Sequence, residues 1–328
     1  MGKLERQHFL PQFYLRGFMD PKNKPFIWMY EKGSELIKPV SVKDAAVHSN
    51  YYAFEKEDGT INRYSYEEGF AKIEDIVAPS IKKALNFEPI NNIERGHIST
   101  FMALSFLRVP SFRDGIKKTI ESHHRAQAMH MALDKEIFMK EMKEIEIEHN
   151  KDLGDLDALR EDFIEGKYNI EVDEYRSLGI LNHSLFPLAS VIHRHYWHFL
   201  VAPYNCKFIT CDNPFFYINP YKKLLDQKGV GLETEKTEIT FPLSKEIAIL
   251  AKWKNEKDNY VSVSKNKVDE INRRTVISSN RFVYSSQKSN KLKKLVIKYK
   301  DVRPILKEEY CNDNGKLLSA QTREIISE

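Results

Sequence analysis

Four polar residues sit where a hydrophobic core has little use for them: His8, Glu74, Arg108 and Asp212. Brought into one cleft, they would supply the parts for metal-assisted phosphodiester hydrolysis. Glu74 and Asp212 would hold a divalent cation, Mg2+ or Mn2+, His8 would act as base or acid, and Arg108 would neutralise the phosphate. Tyr14, Arg16 and Asn213 lie beside these residues in the sequence and are the expected substrate contacts.

Each residue has a context and a plainer alternative. His8 belongs to "QHFLPQFYLRGF", where it precedes a proline-started helix and shares the segment with the polar tips of Tyr14 and Arg16. Glu67 and Glu74 are seven residues apart on one helical face, and Glu74 borders the apolar stripe through Ile73 and Val77. A carboxylate at such a margin either pairs with a cation or works with a shifted pKa. Arg108 is the matching cation, and a helix C-terminus favours its charge. Asp212 in "FITCDNPFF" follows a strand, with Pro214 holding Asn213 extended. A carboxylate fixed at a strand end can present a ligand or a base, and the alternative is an Asx turn capping local backbone.

Other chemistries lack their patterns. The chain has no HExxH, no GxSxG elbow and no Gly-rich phosphate loop, and Cys206 and Cys211 do not form a CxxC knuckle. Neither a structural zinc site nor a nucleotide cofactor is expected. In "HRHYWH", His195 and His198 could share a helical face whereas His193 could not.

The elements that must position these residues follow from periodicity. Pro11 and Gly17 bracket a short helix, and "PFIWMYEKGSELIKPVSV" is expected to form two strands around a Gly-Ser turn. A helix follows from Ser65, with Ser65 and Glu68 matching a capping box, and a second runs from about Asn92 to Arg108. One long helix is expected beyond Ser111 to "EIEIEHN", then helices over 156–165 and 174–198. After Trp197 the chain turns to strands: a short antiparallel meander through "FITCDNPFF", two strands in "TEITFPLSKEIAILAKW", one helix in "SKNKVDEINRRTVISS" and a last strand, "RFVYSS". The expected class is α+β: a small N-terminal β piece, a central helical bundle and a C-terminal antiparallel β-meander with one inserted helix. A single domain over 1–328 is expected, with its strap and strands over 1–64, helices over 65–198 and the β-rich part over 199–328.

The 328 residues, 41% hydrophobic and 12% aromatic, can bury a sizeable core, and no long charge-free apolar window argues for a membrane span. Three cysteines do not make a disulfide framework, and the N-terminus carries no signal-like segment, so a cytoplasmic protein without a membrane partner is expected. The formal charge of +4 is uneven: residues 134–176 carry fifteen acidic against seven basic side chains, leaving +12 on the remainder. The lysine-rich run "KSNKLKKLVIKYKDVR" alternates with apolar residues and is expected to be a strand, either a guarded edge or a phosphate-binding face. Nucleic acid is one expected partner. In the alternative, a non-catalytic sensor or scaffold, a protein would bind the charged helical region through the Met-rich face around Met129, Met131, Met139 and Met142.

Five blocks together, "QHFLPQFYLRGF", "YEEGFAKIEDIVAPSIKKAL", "LSFLRVPSFR", "FITCDNPFF" and "FPLS", resemble the bacterial family known as domain of unknown function 4238. Its pattern falls on His8, Pro11, Tyr14, Glu74, Arg108, Asp212 and Pro214. The serine of its Ser-Asp block is Cys211 here. The resemblance implies a shared site and brings no assigned activity. The function expected from the residues is a metal-dependent nuclease or phosphodiesterase-like effector, in phage defence or as a toxin.

Overall fold

The computed structural model describes residues 6–56, 58–253, 258–313 and 316–327. The chain opens with β1 (Arg6–His8) and the short helix α1 (Gln12–Arg16), capped by Pro11 and Gly17 as their positions predict. A hairpin of β2 (Phe26–Glu31) and β3 (Ile37–Ser41) follows. β4 (Val47–Ser49) then returns to β1, opposing Val47 to His8, and β5 (Phe54–Glu55) pairs with β6 (Ile61–Asn62).

The helices begin with α2 (Ser65–Leu85) and α3 (Asn92–Leu107). The expected Ser65–Glu68 capping box does not form. Instead Asn62 Oδ1 accepts from the backbone N–H groups of Tyr64 and Ser65, so the start of α2 is held from three residues further back. The reciprocal box forms at α3, where Asn91 Oδ1 accepts from Glu94 N and Glu94 Oε2 accepts from Asn91 N, both at 2.9 Å. That cap fixes a helix whose Ile98, Phe101, Met102, Ala103 and Leu104 are completely buried. Arg108 is its C-cap.

Two helices replace the single one expected beyond Ser111: α4 (Pro110–Leu133) and α5 (Lys135–His149). Asp134 makes the break. Its Oδ1 accepts from Glu136 N and Ile137 N, an N-cap that starts a new helix more favourably than an Asp continues an old one. α6 (Leu156–Glu165) and α7 (Glu174–Arg194) complete the helical region. α7 ends four residues before His198, which lies instead on β7 (Tyr196–Val201), so His195 and His198 share no helical face.

The C-terminal part is antiparallel except at one edge. β8 (Thr210–Cys211), β9 (Phe216–Ile218), β10 (Glu238–Pro242), β11 (Ile247–Lys252) and β12 (Asn259–Ser262) precede α8 (Lys265–Ser278) and β13 (Phe282–Ser285). They divide between two sheets. One has the order β12-β7-β11-β10-β9, with β12 parallel to β7; the other, β3-β2-β13-β8, joins the N-terminal hairpin to C-terminal strands. The molecule is thus α+β.

The lysine-rich run is not a strand. Ser289 caps α9 (Asn290–Lys298), its hydroxyl accepting from Leu292 N, and the buried Leu292 and Val296 lie one helical turn apart. The spacing that alternates lysine with apolar residues also matches an amphipathic helix, and the cap decides between them. β14 (Val302–Asp313) and β15 (Lys316–Ser327) pair at the end of the chain, beyond the strand expected to be last.

By its contacts the chain divides into two compact units. The larger comprises Met1–Arg113, Glu174–Ile305 and Arg323–Glu328, and its main core gathers Leu10, Phe18, Phe101, Trp197, Phe215 and Phe241 from helices and sheets. The smaller comprises Asp114–Asp173 and Leu306–Thr322. Its core is Ala132, Phe138 and Met142, with Met131 and Met139 packed against them. The Met-rich face therefore largely fills this unit's own interior, and of its four methionines only Met129 is an exposed large hydrophobic. No helix among the described residues is long and apolar enough to cross a membrane.

Candidate functional site

The end of β1, the start of α1, one face of α2 and the end of α3 enclose a cleft of about 560 Å³. α2 contributes Glu67, Phe70, Ala71, Glu74, Asp75 and Ala78, the positions that a helix places on a single face. His8, Arg16 and Arg108 bring the nitrogen groups.

Arg108 is 1% exposed, and its guanidinium is only partly satisfied. Nη1 donates to Glu74 Oε1 at 2.8 Å, while Nε and Nη2 are buried without a hydrogen-bond partner. Its Cζ lies 5.8 Å from the centre of the Phe70 ring. A buried guanidinium ordinarily fills its planar fork with carboxylate or phosphate oxygens, because an unmet charged donor costs more than a neutral one. Two unmet buried donors on a residue that lines the cleft make Arg108 the candidate anion-binding group.

His8 is half-buried on the same wall. Burial lowers its pKa, hydrogen bonding to the backbone of Val42 and Lys43 pulls the other way, and the charges of Arg108 and Arg6 lower it further. Nε2 has no hydrogen-bond partner. A neutral imidazole with an uncommitted nitrogen beside a cation can take a proton from a bound group.

Gln7 holds this arrangement from behind. Completely buried, it donates from Nε2 to Arg63 O at 2.6 Å and to Glu67 Oε2 at 3.2 Å, and its Oε1 accepts from Tyr52 N at 2.8 Å. The Tyr52 hydroxyl donates to His8 O at 3.0 Å, closing a frame around the histidine. Gln7, Tyr52 and Asp75 are absent from the set of residues picked out by sequence. Strand alternation at β1 is the available signal for Gln7, since a polar residue facing away from His8 must find its partners inside.

Asp212 is not part of the cleft. It is 5% exposed, Oδ1 accepts from Asn280 N at 2.8 Å, and Oδ2 accepts from Arg281 N at 2.7 Å and Phe282 N at 2.8 Å. Burial raises its pKa against the opposing pull of those three N–H groups and of Lys32. Its oxygens organise the turn from α8 into β13, so the expected pairing of Glu74 with Asp212 on one cation does not form. Among the described residues no group of three or more His, Cys, Asp or Glu side chains is arranged to hold a metal ion.

The expected substrate contacts also separate. Arg16 is exposed and lines the cleft, with no ion-pair partner among the described residues. Tyr14 is buried among Phe18, Phe101 and Phe241, donates to Pro242 O at 2.8 Å and shares a 2.7 Å hydrogen bond with Thr210 Oγ1. Burial pushes its hydroxyl pKa up. It joins α1 to β8 and β10, one strand from each sheet. Asn213 is 4% exposed, its carbonyl accepting from Ser278 Oγ at 2.7 Å and from Cys211 Sγ at 3.0 Å. The thiol at position 211 thus serves the local turn as a hydroxyl there could.

A family model described as a protein of unknown function, DUF4238, matches residues 6–289, and the chain belongs to that family. The match covers every residue of the cleft. No curated protein and no solved structure matches the chain.

Proposed function

We propose that the cleft binds a phosphate ester and that the protein is a phosphodiesterase-like hydrolase acting on nucleic acid. The observation that carries this reading is Arg108, buried yet with Nε and Nη2 vacant in a cleft that it shares with His8. Arg108 receives two non-bridging oxygens, and Glu74 fixes the guanidinium plane through Nη1. His8 Nε2 takes the proton of an attacking water as the new P–O bond forms. The bond to the leaving oxygen breaks, and that oxygen is protonated by the imidazolium or by solvent. Arg16, at the exposed side, meets the flanking phosphate.

The Mg2+ or Mn2+ expected from the sequence keeps a place in this reading as an ion carried in with the substrate. Mg2+ commonly binds through one or two carboxylates together with substrate phosphates. Of the cleft's three carboxylates Glu67 already accepts from Gln7 and Glu74 from Arg108, and Glu74 with Asp75 are the two that would meet such an ion. Roles in phage defence or as a toxin would follow from nucleic-acid cleavage and are proposed with it.

The test is cleavage of single-stranded DNA, RNA and duplex DNA by the parent protein, His8→Asn and Arg108→Met, each in EDTA, Mg2+ and Mn2+. Cleavage by the parent that both variants lose supports the reading. Absence of cleavage in every condition, with phosphate still bound by the parent, overturns it in favour of a non-catalytic sensor.

A further inference from the structure

A second concavity, of about 510 Å³, lies between α8, α9 and the segment after β7, and it shares no residue with the cleft. Five lysines line it: Lys207, Lys265, Lys291, Lys294 and Lys298. The one carboxylate among its lining residues, Asp269, is already bonded to Lys291 Nζ at 2.5 Å. Lys207 lies 3.5 Å from Glu246. Lys265, Lys294 and Lys298 have no ion-pair partner among the described residues. The floor is apolar, formed by Ile209, Leu292 and Leu295.

The lysines are ordered along an axis. Lys291, Lys294 and Lys298 stand three and seven residues apart, on one face of α9, and so span about 10 Å at 1.5 Å per residue. A stacked strand, rising ~3.4 Å per nucleotide as each strand of duplex DNA does, presents about three phosphates over that length. Tyr204, next in sequence to Asn205 of the lining, is 97% exposed, and its ring centre lies 5.9 Å from Lys207 Nζ. A basic track over an apolar floor with a solvent-facing aromatic is the combination that holds single strands by charge and stacking.

We propose that this groove binds a single-stranded nucleic acid, its backbone along the α9 lysines and a base on Tyr204. The inference does not require the cleft to be catalytic, since a strand can dock here whether or not it is cut.

The test is fluorescence anisotropy with a labelled oligothymidylate of ~12 nucleotides, within the usual site size of such grooves. Three proteins are compared: the parent, the groove set Lys265→Glu, Lys294→Glu and Lys298→Glu, and a control set Lys22→Glu, Lys143→Glu and Lys151→Glu, which makes the same change in net charge. The groove set should bind about 100-fold more weakly at ~0.1 M salt, and its plot of log K against log salt should lose ~2 from the slope, as three lost phosphate contacts require. The control set should stay within a few fold of the parent. A set with the three groove lysines changed to Gln should show the same ordering if the Glu set folds poorly. Equal loss in groove and control sets, or no binding by the parent, would overturn the proposal. Competition by thymidine monophosphate at the oligonucleotide's own affinity would make the groove a small-molecule pocket and overturn it too.

Discussion

Arg108 and Glu74 form a lopsided ion pair: the guanidinium is 1% exposed, the carboxylate side chain 23%, and a single 2.8 Å bond joins them while two other guanidinium nitrogens have no partner. The asymmetry has an energetic direction. Glu74 can recover solvation on its open side, and Arg108 cannot.

Removing one partner should therefore be worse than removing both. Glu74→Ala leaves a buried cation uncompensated and is expected to cost about 3 kcal/mol, the lower end for breaking a buried pair because Glu74 keeps some solvent. Arg108→Met with Glu74→Leu is expected to remain within about 1 kcal/mol of the parent, as apolar replacements of whole pairs usually do. Urea unfolding at neutral pH checks both. Inorganic phosphate should raise the stability of the parent, by about 1.4 kcal/mol at ten times its Kd, and leave the double variant unchanged. A Glu74→Ala protein as stable as the parent would mean that something other than this carboxylate supports Arg108.

His8 supplies the pH dependence. Its pKa in the folded protein lies below 6.5, through burial and then the nearby arginines. As pH falls, the unfolded chain takes up this proton before the folded one does. The contribution of His8 to stability is thus complete above about pH 6.5 and is lost as pH falls through the lower folded value. Burial also lowers His193 and His195, so the informative quantity is the difference between the parent and His8→Asn, measured from pH 7.5 to 5. The acid limb of kcat/KM for the proposed hydrolysis should have its midpoint below 6.5, and a midpoint above 7 would remove His8 as the base.

Local signals made part of this site legible. Pro11 and Gly17 bracket α1, the face of α2 follows from period 3.6, and Arg108 at a helix end opposite Glu74 needed only two neighbouring helices to bring them together. What was not legible depended on distant backbone. The N–H groups that occupy Asp212 come from residues 68 to 70 positions later, and nothing in "FITCDNPFF" announces them. The lysines of α9 were visible as a charge pattern, yet strand and helix accommodate that pattern equally until Ser289 caps it. Gln7 shows in the sequence only as the alternate face of a three-residue strand, and its role depends on three partners distant in the chain, Arg63, Glu67 and Tyr52.

Asp212 offers the sharpest separation of architecture from chemistry. Three backbone N–H groups converge on its two oxygens at 2.7–2.8 Å, inside a region where the side chain is 5% exposed. In Asp212→Asn one acceptor becomes an NH2 group facing donors, so at least one buried N–H is stranded and the rest lose a charged partner. Bonds to a charged group contribute about 1.5–3 kcal/mol each, and an unmet buried donor costs about 1–3 kcal/mol, so a loss near 3 kcal/mol is expected. The natively folded fraction should bind phosphate in the Arg108 cleft with unchanged affinity, because no atom of Asp212 lines it. Urea unfolding and phosphate titration, made on the same preparation, read the two effects separately. A variant as stable as the parent that has lost phosphate binding or cleavage would place Asp212 in the chemistry and refute its assignment to the α8–β13 turn.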